Sequence, residues 1–262
     1  HHRERQKNGN RDIIEMNLTF SGKRTLIVGG SCELALTLAQ HMIASALFPI
    51  LTHRSEAGLK AIHRALLPFT GKYGTAHLEF GTRESLETLF QRIGEDLDYM
   101  VDFAQGNYES LIASADEDTL YRYFTENVSF RAELLKATAR AMLKKRQGRL
   151  VFISSAAAEN PNLGQGFYAA SKLASEALYR SMGLELGGRG ITTVILRPGY
   201  VMAGRGKAFL NVRSEEILEK IPVKRAITRE EIAETVLFLL ADSASAINAT
   251  VITMDGGLTS RK

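Results

Sequence analysis

Cysteine is nearly absent: Cys32 is the single one in 262 residues. That excludes a disulfide within the chain and any cysteine-built metal site, and it suits a reducing, cytoplasmic setting. Histidine does no better for metal. His41 and His63 fall in helical patterns with no second ligand at metal spacing, so both read as structural and no metal is expected. No apolar run reaches membrane-spanning length and no signal-peptide core is present, so no membrane partner is expected. Basic residues exceed acidic ones only slightly, 33 against 29, a net +4. They are scattered and not interleaved with aromatics, so nucleic acid is not expected either. The densest cluster, Lys144-Lys145-Arg146, reads as the solvated end of a helix, where the dipole favours cations.

Linkers, repeats and low-complexity tracts are missing too. The first fifteen residues, HHRERQKNGNRDIIE, are polar and aperiodic. They read as a disordered extension or as residues added for expression, with residues 16–262 forming one domain. An apolar content of 45% is enough for a single large core.

What is present is alternation. Short apolar runs are expected as strands at 24–28, 48–52, 76–79, 99–103, 149–153, 191–196 and 250–254. Between them lie helical patterns beginning near Leu34, then at 55–66, 84–93, 117–145, 167–186 and 229–240. Continuous apolar strands suit a parallel sheet buried on both faces. The expectation is an α/β chain, a single-domain Rossmann-type doubly wound parallel sheet flanked by helices. Ligands of such sheets bind beyond the carboxyl ends of the strands.

The first strand leads into VGGSCELALTLA. A glycine turn followed by a helix start is an anion site, because backbone N–H groups point outward there. Gly29 and Gly30 are in place, but Glu33 and Ala35 stand where later glycines of a dinucleotide turn would fall. A carboxylate pointing inward would repel a pyrophosphate. Glu33 is expected instead in the first helical turn, facing solvent, where acid is favoured. Cys32 reads as a small inert filler more than as an activated thiol. The second strand ends in Thr52-His53-Arg54-Ser55 without an acid for a ribose 2′-hydroxyl. Arg54 suits a 2′-phosphate, which favours NADP(H) over NAD; the plainer reading is a surface arginine.

The fifth strand ends in Ser154-Ser155, and the following helix carries YAASK, Tyr168 and Lys172 four residues apart on one face. An ammonium beside a phenol stabilises the phenolate, which makes Tyr168 a candidate general acid. Ser155 is placed to hold a substrate oxygen.

In these motifs the sequence resembles the short-chain dehydrogenase/reductase family over Phe20 to Leu258, and its 3-oxoacyl-carrier-protein reductase branch most in length and motif spacing. The resemblance implies an NADP(H)-dependent oxidoreductase interconverting a ketone and a secondary alcohol. The substrate is a small carbonyl or alcohol, with a carrier-bound 3-oxoacyl thioester the leading candidate. It implies catalytic roles for Asn127 (holding a relay water), Ser155, Tyr168 and Lys172. It further implies cofactor contacts from Gly29, Ser31, Cys32 and Leu34 in the turn, from Arg54, Glu79, Phe80 and Ala104 at later strand ends, from Tyr168 and Lys172, and from Pro198, Gly199 and Val201 after strand six. A homodimer or homotetramer is implied as well.

Three positions depart from the family pattern. Glu33 replaces a glycine, Asp102-Phe103-Ala104-Gln105 replaces Asn-Asn-Ala-Gly, and Ala203 stands where a threonine is common. These weakened cofactor contacts keep a second reading open: a sensor or scaffold that binds NADP(H) without turnover. The segment from Tyr200 to Ile227 carries Phe209, Leu210, Ile217 and Leu218 among Arg205, Lys207, Arg213, Lys220, Lys224 and Arg225, against Glu215, Glu216 and Glu219. It is expected to form a mobile helical lid over the substrate. Tyr121, Tyr123 and the Asp255-Gly256-Gly257 turn are expected to be structural.

Overall fold

The computed structural model describes residues 17–260. The extension expected over residues 1–15 lies outside them. Seven strands form one sheet in the order β3-β2-β1-β4-β5-β6-β7. They are β1 (Arg24–Val28), β2 (Phe48–His53), β3 (Gly74–His77), β4 (Tyr99–Asp102), β5 (Gly148–Ile153), β6 (Ile191–Pro198) and β7 (Thr250–Met254). Every pairing is parallel. The helices are α1 (Glu33–Ala44), α2 (Glu56–Ala65), α3 (Arg83–Ile93), α4 (Glu117–Phe124), α5 (Phe130–Lys145), α6 (Gly166–Leu186), α7 (Gly204–Lys220) and α8 (Arg229–Leu240).

Period-two alternation divides the core in two. Ile27, Leu51 and Val151 face one side of the sheet, where Leu38 of α1, Ile62 of α2 and Val236 of α8 cover them. Leu26, Met100 and Phe152 face the other, under Leu89 of α3, Leu134 of α5 and Tyr179 of α6. The strand order reverses between β1 and β4, the switch point at which the carboxyl ends of an open sheet leave a crevice.

β6 runs on to Pro198, two residues past its expected end, and two further elements differ. β3 runs over Gly74–His77, two residues before the expected 76–79, because its pairing with β2 starts opposite Ile50; Glu79 and Phe80 fall in the following turn, where Gly81 has a φ of 89°. The helix expected over 117–145 is interrupted by a wider π-helical turn at Thr125–Ser129. The turn is fixed by tertiary bonds of Asn127 and Arg131, which hydrophobic periodicity does not carry.

The wide turn is held from inside by Arg131. This side chain and Asp102 are both fully buried, with Nε 2.8 Å from Asp102 Oδ2. The guanidinium also donates to the carbonyls of Asn127 and Ala104, and to Ser175 Oγ at 3.0 Å. Asp102 accepts in addition from Tyr179 Oη at 3.1 Å and from the Ala104 amide at 2.9 Å. Burial, reinforced by the Asp102 charge, pushes the Tyr179 phenol well above its ordinary range. A buried ion pair survives desolvation only when most of its remaining hydrogen-bonding positions are filled, and four of the five guanidinium N–H groups here have oxygen acceptors, with the Phe80 and Phe152 rings against the group.

Two outcomes follow for stability. Arg131→Met leaves Asp102 as an unpaired buried charge and should cost about 3–5 kcal/mol in urea unfolding, whereas Asp102→Asn combined with Arg131→Met should recover about half of that. At the start of α8, Glu231 closes a capping box with Thr228 and pairs with Arg225. The Arg225 bond, then the Thr228 amide, lowers its pKa from 4.5 to about 2. A depressed carboxyl stabilises the fold above its unfolded pKa and loses that effect as pH falls through the folded one. The stability difference between wild type and Glu231→Gln should therefore be constant above pH 4.5 and vanish toward pH 2. A difference that persisted unchanged at the acid end would refute it.

Candidate active site

A crevice of about 1300 Å³ opens at the carboxyl ends of β4, β5 and β6, with α7 along its rim. Tyr168 and Lys172 come from one face of α6 and are 8% and 2% exposed, so both are held in place by packing. Lys172 Nζ lies 5.9 Å from the Tyr168 ring centroid and 4.7 Å from that of Phe152, and donates to the Ile153 carbonyl at 2.7 Å. Its ammonium is thus anchored on the last residue of β5. Ser155 follows two residues later, and its Oγ accepts from the Ala157 amide at 3.2 Å. Ser155, Tyr168 and Lys172 all line the crevice.

A second charged network lies behind them. Glu176, one helical turn beyond Lys172, is 3% exposed. Its carboxylate accepts from Ser154 Oγ at 2.5 Å and from Arg197 Nε and Nη2 at 2.8 and 2.5 Å. Arg197 also reaches Glu159 at 2.7 Å. The Glu176 bond raises the Arg197 pKa above its ordinary value. One carboxylate therefore ties the end of β5 before Ser155, the end of β6 before Pro198-Gly199, and the helix that carries Tyr168 and Lys172.

The expected cofactor residues divide. Cys32, Leu34, Pro198, Gly199 and Val201 line the crevice with the catalytic candidates. Gly29 has a φ of 74°, and a Cβ there would meet the Ala104 nitrogen at 2.9 Å; a Cβ on Gly30 would meet Leu51 Cβ at 2.6 Å. Both glycines are thus required by the turn itself. Ser31 is exposed and close to Gly58, beside the β2–α2 turn that carries the exposed Arg54. Glu79 is exposed, its amide donating to Ser85 Oγ at 2.9 Å. Phe80 packs on Phe130 with ring centroids 4.8 Å apart. The Ala104 backbone is tied to Asp102 and Arg131. Cys32 is exposed on the crevice wall rather than packed as a filler, and desolvation pushes its thiol up against the lowering pull of the Ala35 and Leu34 amides.

Asn127 sits at the wide turn, 1% exposed and behind the crevice wall. Its side chain accepts from the Gly106 amide at 2.7 Å and donates to the Tyr123 carbonyl at 2.9 Å, while its own carbonyl accepts from Arg131 and Ser175. Glu33 does more than face solvent. It is exposed in the first turn of α1, and its Oε2 lies 3.3 Å from the Gly204 amide of α7.

Sequence reasoning did not single out Glu176 or Arg131, and named Gln105 only as a departure from the family pattern. Both carried a signal: Glu176 extends the Tyr168-Lys172 spacing by four residues, and Arg131 follows Asn127 by four. Gln105 lines the crevice and donates from Nε2 to Tyr123 Oη at 2.8 Å and Ser171 Oγ at 3.1 Å. Among the described residues no group of His, Cys, Asp and Glu could hold a metal ion, and no helix is long and apolar enough to cross a membrane.

A family sequence profile described as "Enoyl-(Acyl carrier protein) reductase" matches residues 33–259. The 3-oxoacyl-[acyl-carrier-protein] reductase of Haemophilus influenzae is 30% identical over 242 residues, covering 91% of this chain and 99% of that protein. The Escherichia coli protein of the same description is 29% identical, covering 92% and 99%. A solved "short chain dehydrogenase/reductase family protein" superposes with a TM-score of 0.81 at 25% identity, covering 93% of this chain and all of that one. A short-chain type dehydrogenase/reductase from Mycobacterium ulcerans gives 0.85 at 24% identity, covering 94% and 92%, a likeness of fold. The chain belongs to the short-chain dehydrogenase/reductase family, resembles its 3-oxoacyl-carrier-protein reductase branch, and is an oxidoreductase.

Glu176→Ala should cost about 2–3 kcal/mol in urea unfolding, because the Arg197 guanidinium loses its buried partner and keeps only Glu159. A loss below about 0.5 kcal/mol would show that the network carries no load.

Proposed function

We propose that this chain is an NADP(H)-dependent reductase that converts a ketone to a secondary alcohol through Ser155, Tyr168 and Lys172, with a 3-oxoacyl thioester as the leading substrate. The observation that carries the reading is the buried Tyr168–Lys172 pair on one face of α6, beside Ser155 on the wall of an open crevice. The crevice is large enough for a dinucleotide and a substrate together. No side-chain bond caps α1 at Cys32, so its first amides remain available to a phosphate. Arg54 is exposed at the end of β2 for a 2′-phosphate.

When bound, the nicotinamide cofactor supplies the hydride. Ser155 donates a hydrogen bond to the substrate oxygen and fixes its orientation. Tyr168 delivers its phenolic proton to that oxygen as negative charge develops. Lys172 stabilises the phenolate left behind and holds the ribose. Asn127 ties the loop at Gly106 to the wide turn; a relay water there would share its carbonyl with Arg131 and Ser175.

The substrate mouth is apolar, with Leu163, Phe209 and Val212 exposed around it, and Arg213 and Lys220 line the same crevice. That combination suits an acyl chain delivered by an acidic carrier. We further propose a cytoplasmic homodimer or homotetramer, joined through the exposed small and apolar residues of α6 that include Ala170, Leu173 and Ala177.

The test is Tyr168→Phe. NADPH oxidation over a panel of ketones and 3-oxoacyl thioesters should fall at least about 100-fold, while the Kd for NADPH stays within about threefold, since the ring remains and only the hydroxyl is lost. Normal turnover in the variant would refute the assignment. NADPH binding by the wild type without oxidation of any panel member would favour the sensor instead.

A further inference from the structure

Two departures from the family pattern meet in space. Ala203 is the residue that starts α7, and it has no side-chain oxygen to offer the helix. Alanine is among the poorest residues at this position, because the first helical N–H groups then lack an acceptor. The acceptor comes from another element. Glu33, the first residue of α1, lies across the mouth of the crevice and accepts from the Gly204 amide at 3.3 Å. A carboxylate at the positive end of a helix is stabilised by the dipole as well as by the bond. Cys32, Glu33, Leu34, Ala203 and Gly204 line the same crevice as Tyr168 and Lys172.

We propose that Glu33 is a latch between the nucleotide turn and α7, a built-in anion whose carboxylate the cofactor's phosphates must displace. The proposal rests on the NADP(H) reading given above. Glu33 opens α1, whose N-terminal amides are the ones a pyrophosphate would use. A carboxylate there repels the incoming phosphate, and its departure removes the cap of α7. Cofactor binding is thereby coupled to release of the helix that covers the substrate mouth. Glu33 is a positioning residue in this scheme and takes no part in proton transfer. The backbone of α7 is suited to movement: it is non-helical at Arg213 (φ −138°, ψ 39°), so its first turns form a segment separate from the rest.

The test has two arms. In the first, NADPH fluorescence titration compares wild type with Glu33→Gln and Glu33→Ala. Removing the charge should tighten binding about threefold in Glu33→Gln, and removing charge and cap together about tenfold in Glu33→Ala. In the second arm, hydrogen exchange of residues 203–210 is followed without nucleotide. It should quicken in Glu33→Ala and return toward the wild-type rate when Ala203→Ser is added, because serine restores an acceptor within α7 itself. Unchanged or weaker NADPH binding in both variants, or unchanged exchange in Glu33→Ala, overturns the latch. Failure of the wild type to bind NADPH at all would instead overturn the functional reading, and the exchange arm would still decide the cap.

Discussion

The guanidinium of Arg131, sunk between the sheet and two helices, is the contact on which the site depends. It is fully buried, and its acceptors come from three places: Asp102 and Ala104 at the end of β4, the Asn127 carbonyl in the wide turn before α5, and Ser175 on α6. A cation in that position would be costly without several acceptors around it, and four oxygens supply them. Those contacts fix the spacing of β4, α5 and α6 at once. The wide turn exists because the Asn127 carbonyl points to Arg131 while its side chain spans Gly106 and Tyr123. Asp102, which stands where the family has asparagine, follows from the same need: an acceptor-only carboxylate pairs with an arginine that would leave an asparagine's NH₂ group without a use.

Glu176 repeats this solution on the other side of the Tyr168 helix. It is buried, accepts from Arg197 and Ser154, and joins β5, β6 and α6. The two networks flank the stripe of Tyr168 and Lys172 and hold both neighbours of the crevice wall. Catalytic geometry within about half an ångström needs supporting side chains whose own positions are locked. Apolar packing alone would tolerate small slips of α6 along the sheet, because dispersion contacts are weakly directional. Two bidentate or many-donor ion contacts do not, since each has a narrow range of bond angles.

The sheet and the Tyr168–Lys172 face that lines the crevice were legible in the sequence because both are written locally. Strands buried on two faces are continuous apolar runs, and their ends are marked by glycine, serine and proline, as at Gly29, Ser154 and Pro198. The Tyr168–Lys172 spacing is a helix repeat that needs no tertiary knowledge. What the sequence hid is non-local. Nothing in the string says that Arg131 meets Asp102 twenty-nine residues earlier, or that Arg197 meets Glu176 across a strand crossover. Charges in apolar elements look alike whether they are solvated or paired, so neither arginine stands out in the sequence. The edge strand β3 was misplaced by two residues because, with a neighbour on one side only, its apolar pattern is weak.

Departures from a family pattern are often taken one at a time as damage. Here two of them are answered by contacts elsewhere in the chain. Asp102 makes sense only with Arg131. Glu33 beside Ala203 has the same logic: the turn gives up a glycine and α7 gives up its own cap, and the carboxylate gained by one supplies the acceptor lost by the other. Random decay of a cofactor site would leave unpaired groups behind, because a lost partner is not replaced elsewhere. Among the described residues one such atom does fall on a departed position, Gln105 Oε1, whereas Asp102, Arg131 and Glu33 all have partners. Partnered departures are therefore an argument for a crevice whose changes are built into the fold, and under the proposed latch the affinity for NADP(H) would be set by competition between an internal carboxylate and an incoming phosphate.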